Sequence, residues 1–123
     1  MIKLRRALTP YLKAFHPRVY FQDAPDSADF PYLVFDFPNV TDDGENHQGA
    51  VIDIDGWDMP ADGDTTTIEE LMETINDSLN KATLSTAEIR ATFYLDRKLS
   101  LAYDDKRIKR RKYVYQASFY ELP

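Results

Sequence analysis

Charge is laid out along this chain in blocks, and the blocks limit how it can fold. Residues 19 to 80 hold sixteen Asp and Glu, from Asp23 to Asp77, and not one Lys or Arg. The first eighteen residues hold five Lys and Arg and no acid, while residues 81 to 123 hold ten against five, so a middle of −16 lies between two flanks of +5. Like charges brought together in a compact fold repel, so the acidic segment needs basic neighbours. One solution folds the flanks back and neutralises the middle within a monomer. The other leaves a subunit with an acidic side and a basic side. Such a subunit suits head-to-tail contact, in which one surface meets a different surface of the next copy and the series closes into a ring.

With 123 residues the chain has the size of one domain, 1–123, and its 43% of hydrophobic residues can supply a core. The net charge of −6 argues against a chain held to nucleic acid or anionic lipid by overall charge. Zero cysteines exclude a disulfide framework, a thiolate metal site and a cysteine nucleophile, and fit a reducing compartment. The apolar runs are too short to span a bilayer, and Met-Ile-Lys-Leu-Arg-Arg lacks the apolar stretch of a signal peptide, so a soluble, unexported protein is expected.

Leu4, Leu8, Tyr11, Leu12 and Phe15 form one apolar stripe at helical spacing, with basic residues on the other faces. Pro10 predicts a kink or break there, and Pro17 an end. Strands are expected over Arg18 to Phe21, over Phe30 to Phe37 with a stop at Pro38, over Ala50 to Trp57, over Ile89 to Leu95 and over Lys112 to Tyr120. The acid- and Gly-bearing stretch from Thr41 to Gly49 reads as a hairpin turn. Ile68, Leu71, Met72, Ile75 and Leu79 mark a second helix from Thr67, with a capping box from Thr66 to Glu69 or from Thr67 to Glu70. The order of elements predicts an α+β domain, a mostly antiparallel sheet with two main helices packed on one face.

Catalytic chemistry finds little support. The two histidines, His16 and His47, have no serine in a G-x-S-x-G context to work with, and no glycine-rich loop precedes a helix to cradle a phosphate. No cofactor is expected. Asp53 and Asp55, two apart on a strand, could present adjacent carboxylates to a hard cation in a metal-dependent enzyme. The same fragment, through Trp57 and Asp58, also reads as a strand with Ile52 and Ile54 in the core and its acids toward solvent or a neighbouring subunit. Lys106 to Lys112 has six basic residues in seven. It could bind nucleic acid with Tyr113 and Tyr115 stacking on bases. Asp104 and Asp105 just before it, and the aromatic strand just after it, favour a strand edge that meets acidic protein. Lys109, Arg110 and Arg111 are the expected contacts. The many Phe and Tyr residues fill a small sheet's core, with a surplus for an interface.

The ordered set of a first helix, Arg18-Val19-Tyr20, Phe30-Pro31-Tyr32-Leu33-Val34-Phe35, Val51 to Asp58, the helix from Thr67 to Leu79, and Asp105 to Arg111 before an aromatic strand resembles the tail completion, or tail terminator, proteins of long-tailed bacteriophages and their prophages. Pro10 within the first helix departs from that pattern. The resemblance covers nearly the whole chain and implies a structural protein without a catalytic centre. It implies a hexameric ring at the head-proximal end of the tail, partnered by its own copies, by the major tail tube protein and by the head completion or connector protein. DNA would pass through without specific binding, no membrane would be involved, and the site of action would be the virion after assembly in the host cytoplasm.

Overall fold

The computed structural model describes residues 1–45 and 47–123; of the expected 41–49 turn, Asn46 lies outside the described residues. Eight elements follow one another: α1 (Ile2–Lys13), β1 (Val19–Phe21), β2 (Tyr32–Asp42), β3 (His47–Asp58), α2 (Thr66–Leu79), β4 (Thr83–Ser85), β5 (Ile89–Leu101) and β6 (Lys109–Glu121). The strands make one sheet in the order β1-β2-β3-β6-β5-β4. Only the β1–β2 pair is parallel; β2–β3, β3–β6, β5–β6 and β4–β5 are antiparallel. The α+β class and mostly antiparallel sheet expected from the sequence are what the fold shows.

Strand alternation sends Leu33, Phe35, Ile52, Ile54, Ala91, Phe93, Tyr115, Ala117 and Phe119 to one face, where they are buried together with Leu4, Leu8 and Leu12 of α1 and Ile68, Met72, Ile75 and Leu79 of α2. Both helices therefore lie on that face. A hydroxyl contact between Tyr11 and Ser78 joins them. Among the described residues the other face carries no helix. Tyr115, fully buried, donates its hydroxyl to Asn76 Oδ1 at 2.8 Å, so the one amide among the buried residues of α2 is satisfied by the sheet beneath it.

Several expectations are corrected. The first helix runs unbroken through Pro10. Pro10 is exposed, so water can serve the Arg6 carbonyl that loses its amide partner. Strand β2 does not stop at Pro38 but continues to Asp42. Phe37 and Pro38 fall in the register break between the Asp36–Asp53 and Asn39–Val51 pairs, beyond Phe35, the last residue that β1 covers, so the missing amide costs no ladder bond. No capping box forms at α2. Asp64 instead accepts from the Thr66 amide at 2.9 Å and the Thr66 hydroxyl at 2.6 Å, which holds its carboxyl below the usual aspartate range. Strand β5 passes through a bulge between Leu95 and Arg97 to include Leu99 to Leu101, and β4 was not expected at all.

Gly56 fixes how closely α2 approaches the sheet. A methyl group there would stand 2.7 Å from Ile68 Cδ1 and 2.9 Å from Met72 Sδ, both on fully buried side chains. Gly56→Ala is therefore expected to destabilise the fold by about 1–3 kcal/mol through overpacking. Urea denaturation measures it; an unchanged midpoint would mean that α2 shifts freely on the sheet.

Candidate interaction surface

The open face of the sheet is where the acidic middle of the chain meets its basic tail. Alternation turns Asp53, Asp55 and Trp57 of β3 to this face, and the register sets Asp55 opposite Lys112 and Trp57 opposite Arg110. Arg110 Nε donates to both carboxylate oxygens of Asp55 at 3.0 and 2.9 Å, and Nη2 donates to Oδ2 at 2.5 Å. Such forked geometry is the strongest that a guanidinium and a carboxylate can form. Lys112 Nζ lies 3.6 Å from Asp53 Oδ2 and 4.0 Å from Asp55 Oδ2. Asp55 is only 6% exposed. Burial pushes its carboxyl above the ordinary value, against the opposing pull of Arg110 and Lys112.

Aromatic rings surround this pair. The Arg110 guanidinium sits 4.5 Å above the Trp57 ring. Trp57 stacks on Tyr32 at 6.0 Å and meets the edge of Tyr103 at 5.2 Å, while Tyr32 also contacts Phe30 at 5.2 Å and Tyr20 at 5.9 Å. The 22–28 loop, with Asp23 and Asp26, curls beside these rings and encloses with them a cleft of about 450 Å³. The Trp57 indole nitrogen is buried without a hydrogen-bond partner.

The same alternation divides the expected basic trio. Arg110 faces the open side, whereas Arg111 turns to the helix side and donates from Nε and Nη2 to Glu69 Oε1 of α2, both at 3.1 Å. Lys109 donates from Nζ to the Lys106 carbonyl at 3.1 Å and lines, with Arg111, Tyr103 and Lys106, a shallow cleft of about 490 Å³. Asp105 accepts from Arg107 Nε at 3.0 Å and Nη2 at 2.7 Å, which lowers its carboxyl to about 2. Asp104 is exposed in the same turn. The eight expected residues thus fall into three groups: the Asp53, Asp55, Trp57 and Arg110 cluster on the open face, Lys109 and Arg111 on the helix side, and Asp104 and Asp105 at the β5–β6 turn.

A model of the family described as tail completion protein gp17 matches residues 3–119. The chain belongs to that family. It is accordingly a structural protein of a phage tail and a component of the virion. Among solved structures, a chain of the "virion of native gene transfer agent (GTA) particle" superposes with a TM-score of 0.69 at 20% identity, over 90% of this chain and 84% of that one, and so shares its fold. No curated protein matches the sequence.

Two alternatives lose part of their support in this tail completion protein. Tyr113 and Tyr115 are 5% and 0% exposed, so neither can stack on a base. The carboxylates of Asp53 and Asp55 are engaged by Lys112 and Arg110, which leaves a metal ion no free pair to bind. Sequence reasoning missed the polar network on the helix side. Glu73 accepts from Lys98 Nζ at 2.6 Å and from the Tyr113 hydroxyl at 2.8 Å. These bonds hold its carboxyl below the ordinary value. The signal available was an α2 that carries only acids, Glu69, Glu70, Glu73 and Asp77, opposite strands that carry bases.

Replacing Arg110 with Met leaves Asp55 with Lys112 alone at 4.0 Å. The expected cost near neutral pH is about 2–3 kcal/mol, less than for a fully dry pair because the Arg110 side chain keeps some solvent. Without that counter-charge the Asp55 carboxyl rises further, so the folded state holds a proton that the unfolded chain has released. A raised acid loses stability as pH rises through its folded value, so the deficit relative to wild type should be smaller in mildly acidic buffer than at neutral pH. Equal deficits at the two pH values would show that another contact governs.

Proposed function

We propose that this tail completion protein forms a ring, six copies in the assembled particle, at the head-proximal end of a long phage or prophage tail, where it caps the tail tube and joins it to the head connector. The proposal is supported by the family match over residues 3–119 together with the charge that folding leaves unspent. Folding neutralises the part of the acidic middle that meets the basic tail: Asp53, Asp55, Glu69 and Glu73 all pair with bases from residues 98 to 112. Part of the charge that remains outside lies at the β5–β6 turn, where Lys106 is exposed beside Tyr103, itself 47% exposed, and Arg107 is exposed in its pair with Asp105.

This turn is the contact to an adjoining protein's acidic surface, and Arg110 and Arg111 act behind it by holding its base on Asp55 and Glu69. Tyr103 and Trp57 add the apolar area and polar tips that interface centres use. An acidic ring lumen, which the net charge of −6 allows, lets DNA slide through without retention.

Replacing Lys106 and Arg107 by Ser should abolish the joining of tails to heads while leaving the isolated protein folded, since both side chains are exposed. Electron microscopy of particles assembled with the variant would show separate heads and tails. Normal joined particles would refute the turn as the contact, and a melted monomer by circular dichroism would assign these residues to the fold instead.

A further inference from the structure

The two helices carry opposite charge and nothing else. Helix α1 holds Lys3, Arg5, Arg6 and Lys13 and no acid, while α2 holds Glu69, Glu70, Glu73 and Asp77 and no base. Some of these charges are used within the chain. Glu69 and Glu73 pair with Arg111 and Lys98, and Arg6 reaches the half-buried Glu88 at 3.3 Å. Lys13, Glu70 and Asp77 are exposed and make no ion pair or side-chain hydrogen bond among the described residues.

Helical spacing puts Arg6 and Lys13 on the outward side of α1, opposite Leu4, Leu8 and Leu12, and Glu70 and Asp77 on the outward side of α2, opposite Met72, Ile75 and Leu79. Both pairs are seven residues apart, about 10 Å along the axis. Thr9 and Pro10 lie between the pair on α1; on α2 the residues between are Thr74 and Glu73, the latter already paired with Lys98. Each helix also carries charge at the wrong end for its own dipole. The first half of α1 is basic with no acid in its first turn, and the last turn of α2 contains Asp77 with no base. Lys13 and Glu69 suit their own helices' dipoles, whereas the bases early in α1 and Asp77 late in α2 do not.

We propose that the outward face of α1 in one copy docks antiparallel on the outward face of α2 in the next, Arg6 against Asp77 and Lys13 against Glu70. Antiparallel docking sets the positive end of one dipole beside the negative end of the other. The contact rests on the ring proposed above and names its subunit interface. Because the two faces differ, every copy keeps one free for a further neighbour, as a closed ring requires.

The test uses two charge-reversed full-length chains, R6E/K13E and E70K/D77K, followed by sedimentation at low salt. Each alone should self-associate at least about tenfold more weakly than wild type, because like charges then face one another. Mixed in equal amounts they should assemble again, alternating, into rings with only even numbers of copies. In parallel, Arg6→Cys and Asp77→Cys chains are mixed under oxidant; the native sequence contains no cysteine to interfere. A disulfide-linked heterodimer that neither chain forms alone supports the docking even if wild type stays monomeric in solution. Assembly of both reversed chains at wild-type strength, or a wild-type ring without the cross-link, overturns the helix contact and leaves the ring standing. A monomeric wild type with no cross-link removes the helix contact together with spontaneous ring formation.

Discussion

The pairing of β3 with β6 is the constraint on which the rest of the structure depends. It runs without a register break from His47–Tyr120 to Asp58–Lys109 and joins the acidic middle of the chain to its basic tail. The alignment is selected twice. On the helix side it sets Ile52 beside Tyr115 and Ile54 beside Tyr113, and on the open side it brings Asp55 within reach of both Arg110 and Lys112. A slip of one residue would turn the apolar set outward and bury the charged one. Hydrophobic burial supplies most of the driving force, while the forked Asp55–Arg110 bond, made where water is scarce, penalises every other register.

Once these strands are aligned, the position of α2 follows. Gly56 stands opposite Arg111, and its missing side chain opens the space that Ile68 and Met72 fill. Arg111, Lys98 and Tyr113 then lie close enough to engage Glu69 and Glu73, and Tyr115 meets Asn76. A helix whose charges are all acidic is thus seated on a region of the sheet that offers bases and phenolic hydroxyls. Lys98 reaches this side because the bulge after Leu95 shifts the alternation of β5. Without it Lys98 would face the opposite way and Glu73 would lose its cation.

That bulge also shows where reading the sequence stops. Both helices, the strands around Leu33 to Phe37, Ile52 to Trp57 and Tyr113 to Phe119, and the sheet's mostly antiparallel character were legible, because periodic apolar residues report burial directly. Bulges were not, since nothing local announces which residue will be left unpaired. Strand β4 was hidden for a related reason: Thr83 to Ser85 bury little and owe their extension to the neighbouring β5. At the candidate site the residue types were legible and their directions were not. Arg110 and Arg111 look equivalent in a basic run, yet period-two geometry sends one to Asp55 and the other to Glu69. Applying that period to the run itself would have separated them. Recognising Glu73 as a partner needed the tertiary placement of α2, which no short-range pattern carries.

The two ways of satisfying a segmented charge pattern, internal neutralisation and opposed outer surfaces, turn out to operate on different shells of one molecule. Charges borne on the central strands are consumed internally, where desolvation makes each pair worth keeping and each unpaired ion costly. Charges borne on the outer faces of the helices and at the β5–β6 turn stay in solvent, where pairs within the monomer such as Arg6–Glu88 and Arg107–Asp105 contribute little. These outer charges gain strength only if a second surface removes water from them. A structural tail protein has such surfaces on several sides. The layout therefore makes physical sense in an assembly, where contacts that exclude solvent strengthen the charges that a lone subunit leaves in water.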